Sequence, residues 1–200
     1  MVKFRDTRQG SQELVKALGG LTPEALLTNS HDGASTYNLM LGIYRFICGN
    51  GLIIGEHLIP PVKIAHRGGA NAADAVIEAT YSVIDETPKM LGSIERFQRL
   101  QLDAPEQRAF ATAALGLRYE DEQAPITVEQ VLAPRRREDA EPTLWATFNR
   151  VQESLVAGGN SYRAESGRRQ RVRPVQGISE NARLNKALWT LAEEMAKLKG

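Results

Sequence analysis

Apolar and polar positions alternate through the first third of the chain, and a helical period replaces that alternation from about residue 70 onward. In "STYNLMLGIYRF", Tyr37, Leu39, Leu41, Ile43 and Arg45 alternate with Asn38, Met40, Gly42, Tyr44 and Phe46. That is the two-residue period of a strand. The second set is only partly polar, which predicts cover on both faces near the strand's end. Two turn signals flank it, "HDGAS" around Gly33 and "CGNGL" around Asn50 and Gly51. Asp-Gly and Asn-Gly favour the positive φ angles of tight hairpin turns. Leu52 to Ile54 predict a further short strand, interrupted by Pro60 and Pro61, and "VKIAHRGG" another that stops at Gly68 and Gly69. Together these signals predict a small antiparallel β-meander over residues 24–67.

The rest of the pattern is helical. "NAADAVIEATYSVIDE" places Val76, Thr80, Val83 and Ile84 on one stripe. Thr87 and Pro88 read as the cap and first-turn proline of a second helix carrying Leu91, Ile94 and Phe97. Asp103 with Glu106, and Thr127 with Gln130, have capping-box spacing. "EPTLWATFNRVQESLVAGG" sets Leu144, Phe148, Val151 and Leu155 on one face and ends at Gly158 and Gly159. A last helix is predicted from near Ser179. Its stripe is Leu184, Leu188, Leu191, Met195 and Leu198, with Glu193 four residues before Lys197. Trp145 and Trp189 fall on these helical stripes and read as packing residues.

Strands first and helices afterwards define an α+β fold: the meander, then a predominantly helical C-terminal two-thirds over residues 70–200. Two hundred residues, 42% hydrophobic and 24% charged, suit a single domain spanning residues 1–200 with a true core. Two polar connections interrupt the helices. "APRRREDAEP" is bracketed by prolines, and "GGNSYRAESGRRQRVRP", residues 158–174, reads as a long basic loop. A net charge of +1 leaves any electrostatic signal to such local clusters. No apolar run is long enough to span a bilayer, so no membrane partner is expected. Cys48 is the single cysteine, which excludes an internal disulfide and points to a cytoplasmic protein.

Candidate chemistry is sparse. His31, His57 and His66 fall near predicted hairpin ends beside Asp32, Glu56 and Cys48, without the tight spacing of a metal site. They read as turn residues, and neither a metal nor another cofactor is expected. Cys48 reads as a small buried thiol. Gly49 to Gly51 lack the lysine and following helix of a phosphate loop. Glu138, Asp139 and Glu141 beside Arg135, Arg136 and Arg137 read as a self-compensated, solvated loop. No catalytic residue emerges, and the chain reads as a non-enzyme.

The basic segment is the exception. From Asn160 to Glu180, Arg163, Arg168, Arg169, Arg171 and Arg173 face only Glu165 and Glu180. In an extended chain Arg169, Arg171 and Arg173 form a row with a spacing of about 6.5–7 Å. Such a row suits successive phosphates of a single strand, with Tyr162 as a stacking face and Arg135, Arg136 and Arg137 in support. A solvent-facing edge strand, or arginines paired with helix carboxylates, accounts for the same charges.

Taken together, "TNSHDGASTYNLMLGIYRFICGNGLI", "HRGG", "APRRREDAEPTLWATFNRVQESLVAGG" and "GRRQRVRPVQGISENARLNKALWTLAEEMA" resemble a phage/plasmid-like family of uncharacterised prokaryotic proteins, domain of unknown function 932. The resemblance runs from Leu27 to the C-terminus. Family members are usually longer at the N-terminus, so "MVKFR" corresponds to the point where their first segment ends. The resemblance implies a phage, prophage or plasmid context and carries over no catalytic residue. A strand meander followed by helices is also the broad pattern of phage single-strand annealing proteins, a fold-level analogy. Two expectations follow. One is binding of single-stranded DNA through Arg168, Arg169, Arg171 and Arg173 with Arg135, Arg136, Arg137 and Tyr162. The alternative is a protein-interaction module of a mobile element, such as a host-defence antagonist, working as a homo-oligomer or on a host protein.

Overall fold

The computed structural model describes residues 2–5, 21–29, 36–45, 51–54, 62–65, 71–119 and 123–200. Its backbone packs into two units, Met1–Leu91 and Gly92–Gly200.

The first unit holds an antiparallel sheet of β1 (Val2–Arg5), β2 (Leu21–Asn29), β3 (Thr36–Arg45), β4 (Gly51–Ile54) and β5 (Val62–Ala65). The alternating segment Tyr37 to Arg45 forms β3, as its period predicts. β2 pairs with it from Leu21↔Arg45 to Asn29↔Tyr37, and β1 extends the sheet beyond β2. β1 lies upstream of the predicted meander. The other edge of β3 is shared: β4 pairs through Leu41↔Ile54 and β5 through Leu39↔Val62. The two predicted strands therefore run along the same edge of β3 instead of forming successive rows. Pro60 and Pro61, between them in sequence, have no N–H to give to a ladder. The predicted turns at residues 31–35 and 48–51 fall largely outside the described residues, as do Gly68 and Gly69.

Helix α1 spans Asn71–Arg99 without a break. The cap and helix start expected at Thr87 and Pro88 are not formed. The proline's fixed φ is compatible with a helix, so continuing through it costs one backbone hydrogen bond and crowding of the preceding turn, which burial of Met90, Ile94 and Phe97 just beyond it offsets. The side chains of Val76, Thr80, Val83 and Ile84 are outside the described set. Ile94 and Phe97 are buried as their spacing predicts.

The second unit continues with α2 (Ala104–Tyr119), α3 (Val128–Leu132), a 3₁₀ turn (Arg137–Asp139), α4 (Leu144–Gln152), a π-type turn (Glu153–Ala157), β6 (Ser161–Arg163), β7 (Arg169–Arg171) and α5 (Ile178–Lys199). Both capping boxes form. Asp103 Oδ1 accepts from Glu106 N at 2.8 Å while Glu106 Oε2 accepts from Asp103 N at 2.8 Å. Thr127 and Gln130 exchange the same pair of bonds at 3.3 and 2.9 Å. Each box satisfies amides that open a helix and would otherwise lack partners.

Helix α4 is the axis of this unit, buried at every residue from Leu144 to Gln152. Its apolar residues join a ring cluster: Phe148 meets Trp189 edge-on at 5.9 Å, Trp189 lies 5.2 Å from Phe97, and Trp145 stacks 5.8 Å from Phe148. Both tryptophans are core residues, as predicted. The buried stripe of α5 is Leu184, Leu188, Ala192 and Ala196 with Trp189 beside it. Leu198 of the predicted stripe is instead 86% exposed. Steps of four, with small alanines, carry the contact face away from Leu191 and Met195, which are half-buried. Glu193 does not pair with Lys197. It accepts from Arg96 at 3.0 Å, and Lys197 pairs with Glu194 at 2.6 Å.

Because α4 is buried on all sides, its polar side chains need internal partners. Asn149 donates to the Trp145 carbonyl at 2.7 Å, Gln152 to Asn185 Oδ1 at 3.0 Å, and Arg150 to Gln107 and Thr147 at 2.9 and 2.8 Å. Burial lowers the pKa of Arg150, and the Asp139 carboxylate opposes that shift. Gly158 then reverses the chain at φ +69°. A Cβ there would lie 2.5 Å from the Val172 carbonyl oxygen, so only glycine lets the returning strand come this close.

Candidate nucleic-acid interface

The basic stretch 158–174 is a β-hairpin and not an irregular loop. Ala164 N donates to the Arg168 carbonyl at 3.0 Å and Gly167 N to the Ala164 carbonyl at 2.8 Å. Gly167 takes φ +74°, closing a three-residue turn over "ESG". The register is Ser161↔Arg171, Tyr162↔Gln170 and Arg163↔Arg169. Directly opposed residues share a face, and faces alternate along each strand. Arg163, Arg169 and Arg171 therefore share one face. Tyr162 and Gln170 share the other, which continues to the buried Val172. The arginine face is the outer one.

Side chains from three other elements hold the hairpin by its backbone. Arg118 of α2 donates to the Arg173 carbonyl at 2.8 Å and to the Leu155 carbonyl. Gln130 of α3 donates to the Ser161 carbonyl at 2.9 Å. Arg135 donates to the Gly158 carbonyl at 2.7 Å and to Asn160 Oδ1 at 2.8 Å. Tyr119, at the end of α2, has its phenol pKa raised by burial; Arg118 opposes this and Tyr162 adds to it. The Arg118 guanidinium stands 5.3 Å from the centre of the Tyr119 ring.

The predicted arginines divide into two groups. Arg136 grips Glu153 through both guanidinium nitrogens, Nη2 to Oε1 at 2.6 Å and Nη1 to Oε2, with Asp139 3.6 Å away. Asp139 is 1% exposed. Arg136 and Asp139 of "RRRED" are thus drawn into the fold while Glu138 stays exposed, which revises in part the expected solvated, self-compensated loop. Arg135 is partly committed in the same way, 3.8 Å from Glu153. Arg137 is exposed. Arg168, Arg169, Arg171 and Arg173 are exposed, and among the described residues no carboxylate lies within ion-pair distance of any of them. Tyr162 is half-buried, and its hydroxyl donates to Gln170 Oε1 at 2.8 Å.

The site therefore brings Arg168, Arg169, Arg171 and Arg173 onto one hairpin, with Arg135 at its base and Arg136 turned into the fold. Sequence counts Arg163 in the basic segment without placing it in the arginine row, and it does not single out Arg118. Arg163 becomes a site neighbour only once "SYR" and "RQR" are paired across the glycine-containing turn, a hairpin spacing that was legible. Arg118 carried no local signal, because its acceptors are backbone carbonyls distant in sequence. His31, Asp32, Cys48, Glu56, His57 and His66 lie outside the described residues. Among the described residues, no group of three or more His, Cys, Asp or Glu side chains could hold a metal ion. Nor is any described helix long and apolar enough to cross a membrane.

Comparison with known proteins bears out the domain-of-unknown-function resemblance, over residues that begin upstream of Leu27 and end at 189. Two Escherichia coli (strain K12) proteins, UPF0380 protein YafZ and UPF0380 protein YfjQ, are each 40% identical to the chain over 177 residues. The match covers 88% of this chain and 64% of each relative, so the chain spans just under two-thirds of their length. No solved structure matches. The model of the domain of unknown function DUF932 matches residues 3–189, and the chain belongs to that family.

Proposed function

We propose that this chain is a nucleic-acid-binding protein of a phage- or plasmid-type element, and that it holds single-stranded DNA on the β6–β7 hairpin, with Arg169 and Arg171 on its outer face and Arg168 at the turn. The observation behind this reading is the environment of Arg168, Arg169, Arg171 and Arg173. All four are exposed, and no carboxylate among the described residues pairs with them. Edge charges that merely block strand addition need no such density, and lysine is the usual choice for them. A guanidinium presents a planar fork that suits two phosphate oxygens at once. Clustered charge of one sign also concentrates the potential that steers an anionic chain to the surface. Arg135, Arg118 and Gln130 contribute by holding the hairpin's backbone in place. The resemblance to phage/plasmid-like proteins supports the same reading.

The test is fluorescence anisotropy with a labelled single-stranded oligonucleotide over a salt series. Each phosphate neutralised contributes about −0.7 to the log–log salt slope for a single strand, so three contacts predict roughly −2. The Arg169→Ala/Arg171→Ala/Arg173→Ala variant flattens that slope. Absence of binding at low salt overturns the proposal and returns the hairpin to a protein-interaction role.

A further inference from the structure

One pair in the hairpin runs against the rules of strand pairing. Arg163 and Arg169 are direct cross-strand partners on the outer face. Directly opposed residues have Cβ atoms about 4.5–5.5 Å apart, and like charges there destabilise a ribbon. A carboxylate at either position would relieve the repulsion, yet neither position carries one. Glu165, the nearest acid in sequence, is exposed in the turn and forms no ion pair with either arginine. The strands are meanwhile prevented from splaying. Tyr162 bonds Gln170 on the opposite face, Ala164 N bonds the Arg168 carbonyl at one end, and Val172 N bonds the Asn160 carbonyl at 2.8 Å at the other. The two arginines are thus rooted on one face with their Cβ atoms at short separation, and no carboxylate of the described residues pairs with them.

We infer that Arg163 and Arg169 form a two-guanidinium clamp for a single phosphate group. Arg171, about 6.5–7 Å further along β7, takes the next phosphate of the same strand. The pair supplies two forks to one tetrahedral anion, which relieves the repulsion between them when the anion binds. Tyr162 lies on the other face and is bonded to Gln170, so the clamp reads the phosphodiester backbone without stacking a base. This inference rests on the nucleic-acid reading and adds to it Arg163, the one-phosphate stoichiometry and indifference to base identity.

A double-mutant cycle tests it, using Arg163→Ala, Arg169→Ala and the double variant on the full chain. Two probes are used: a single-stranded oligonucleotide, intact or abasic at its centre, and inorganic tripolyphosphate. Loss of a charge-assisted contact predicts about a tenfold fall in oligonucleotide affinity for each single variant. Because both residues serve one phosphate, either arginine alone still neutralises it, so the salt slope changes little in each single variant and falls by about 0.7 in the double. The abasic oligonucleotide binds like the intact one. Without ligand at low salt, each single variant melts at or above the wild-type temperature. Tripolyphosphate raises the wild-type melting temperature more than that of either variant. Slope losses that sum in the double variant, or Arg163→Ala binding like wild type, overturn the clamp while leaving the nucleic-acid reading intact. If wild type binds no oligonucleotide but its tripolyphosphate shift vanishes in both single variants, the clamp holds and the nucleic-acid reading falls.

Discussion

Two arginine runs, "RRRED" at residues 135–139 and "RRQRVR" at residues 168–173, look much alike along the chain and have opposite environments in the fold. In the first, Arg136 closes on Glu153 from the end of a buried helix, and Asp139 is buried beside it. In the second, the guanidinium groups stand exposed on a hairpin, and the described carboxylates do not pair with them. The contrast shows that charge density along a sequence does not report whether the charge is available. Availability depends on which acids the fold brings near. Glu153 is 17 residues from Arg136, beyond any local pattern. Arg135 joins the two regions, since one guanidinium lies near Glu153 and also holds the hairpin's base.

The strongest way to break this comparison is to remove the acid. Glu153→Ala strips Arg136 of both short bonds in a largely buried setting, where breaking an ion pair costs about 3–5 kcal/mol. Urea denaturation should show a loss near the lower end, because Asp139 remains 3.6 Å from Arg136. Replacing both partners, as Arg136→Met/Glu153→Leu, should recover only part of it, since the buried Asp139 carboxylate then loses Arg136 as a partner. The equivalent change on the hairpin, Arg171→Ala, should move stability by no more than about 0.5 kcal/mol, as exposed sites usually do. A stability loss at Arg171 comparable to that at Glu153 would erase the distinction.

A smaller effect concerns the surface pairs that close the helical unit. Glu106 accepts from Lys199 at 2.6 Å and from the Asp103 amide, and these bonds hold its carboxyl below the ordinary value of 4.5. A depressed folded-state pKa contributes stability that is present above 4.5 and lost as pH falls through the folded value. Glu180 is lowered in the same way by its bond to Arg183. Melting temperature should therefore fall as pH drops below 4.5, and Glu106→Gln should make that decline shallower. An unchanged acid limb in the variant would remove Glu106 from the account.

Features of the fold that depend on local chemistry were the legible ones. The two capping boxes, the glycine stop at Gly158 and the period-two run of β3 are each written within a few residues. The continuation of α1 through Pro88 was not legible, because a proline costs one hydrogen bond and the sequence does not say whether the flanking turns outweigh it. The expected Glu193–Lys197 pair failed for a related reason: a residue distant in sequence, Arg96, competes for the same carboxylate. At the site, alternation along β7 was readable, but the cross-strand position of Arg163 required the hairpin's register. The use of Arg118 as a clamp on carbonyls required the tertiary fold.

Hydrogen exchange of the backbone amides, with and without a single-stranded oligonucleotide at low salt, tests the central claim most directly. The two arginine regions predict different responses in one experiment. Amides of the hairpin, from Ser161 to Val172, should gain protection on addition of the oligonucleotide. Those of Arg136 to Ala140, already fixed against Glu153, should remain unchanged. Equal protection of both segments, or protection confined to Arg136 to Ala140, would contradict the assignment of the hairpin as the ligand-facing surface.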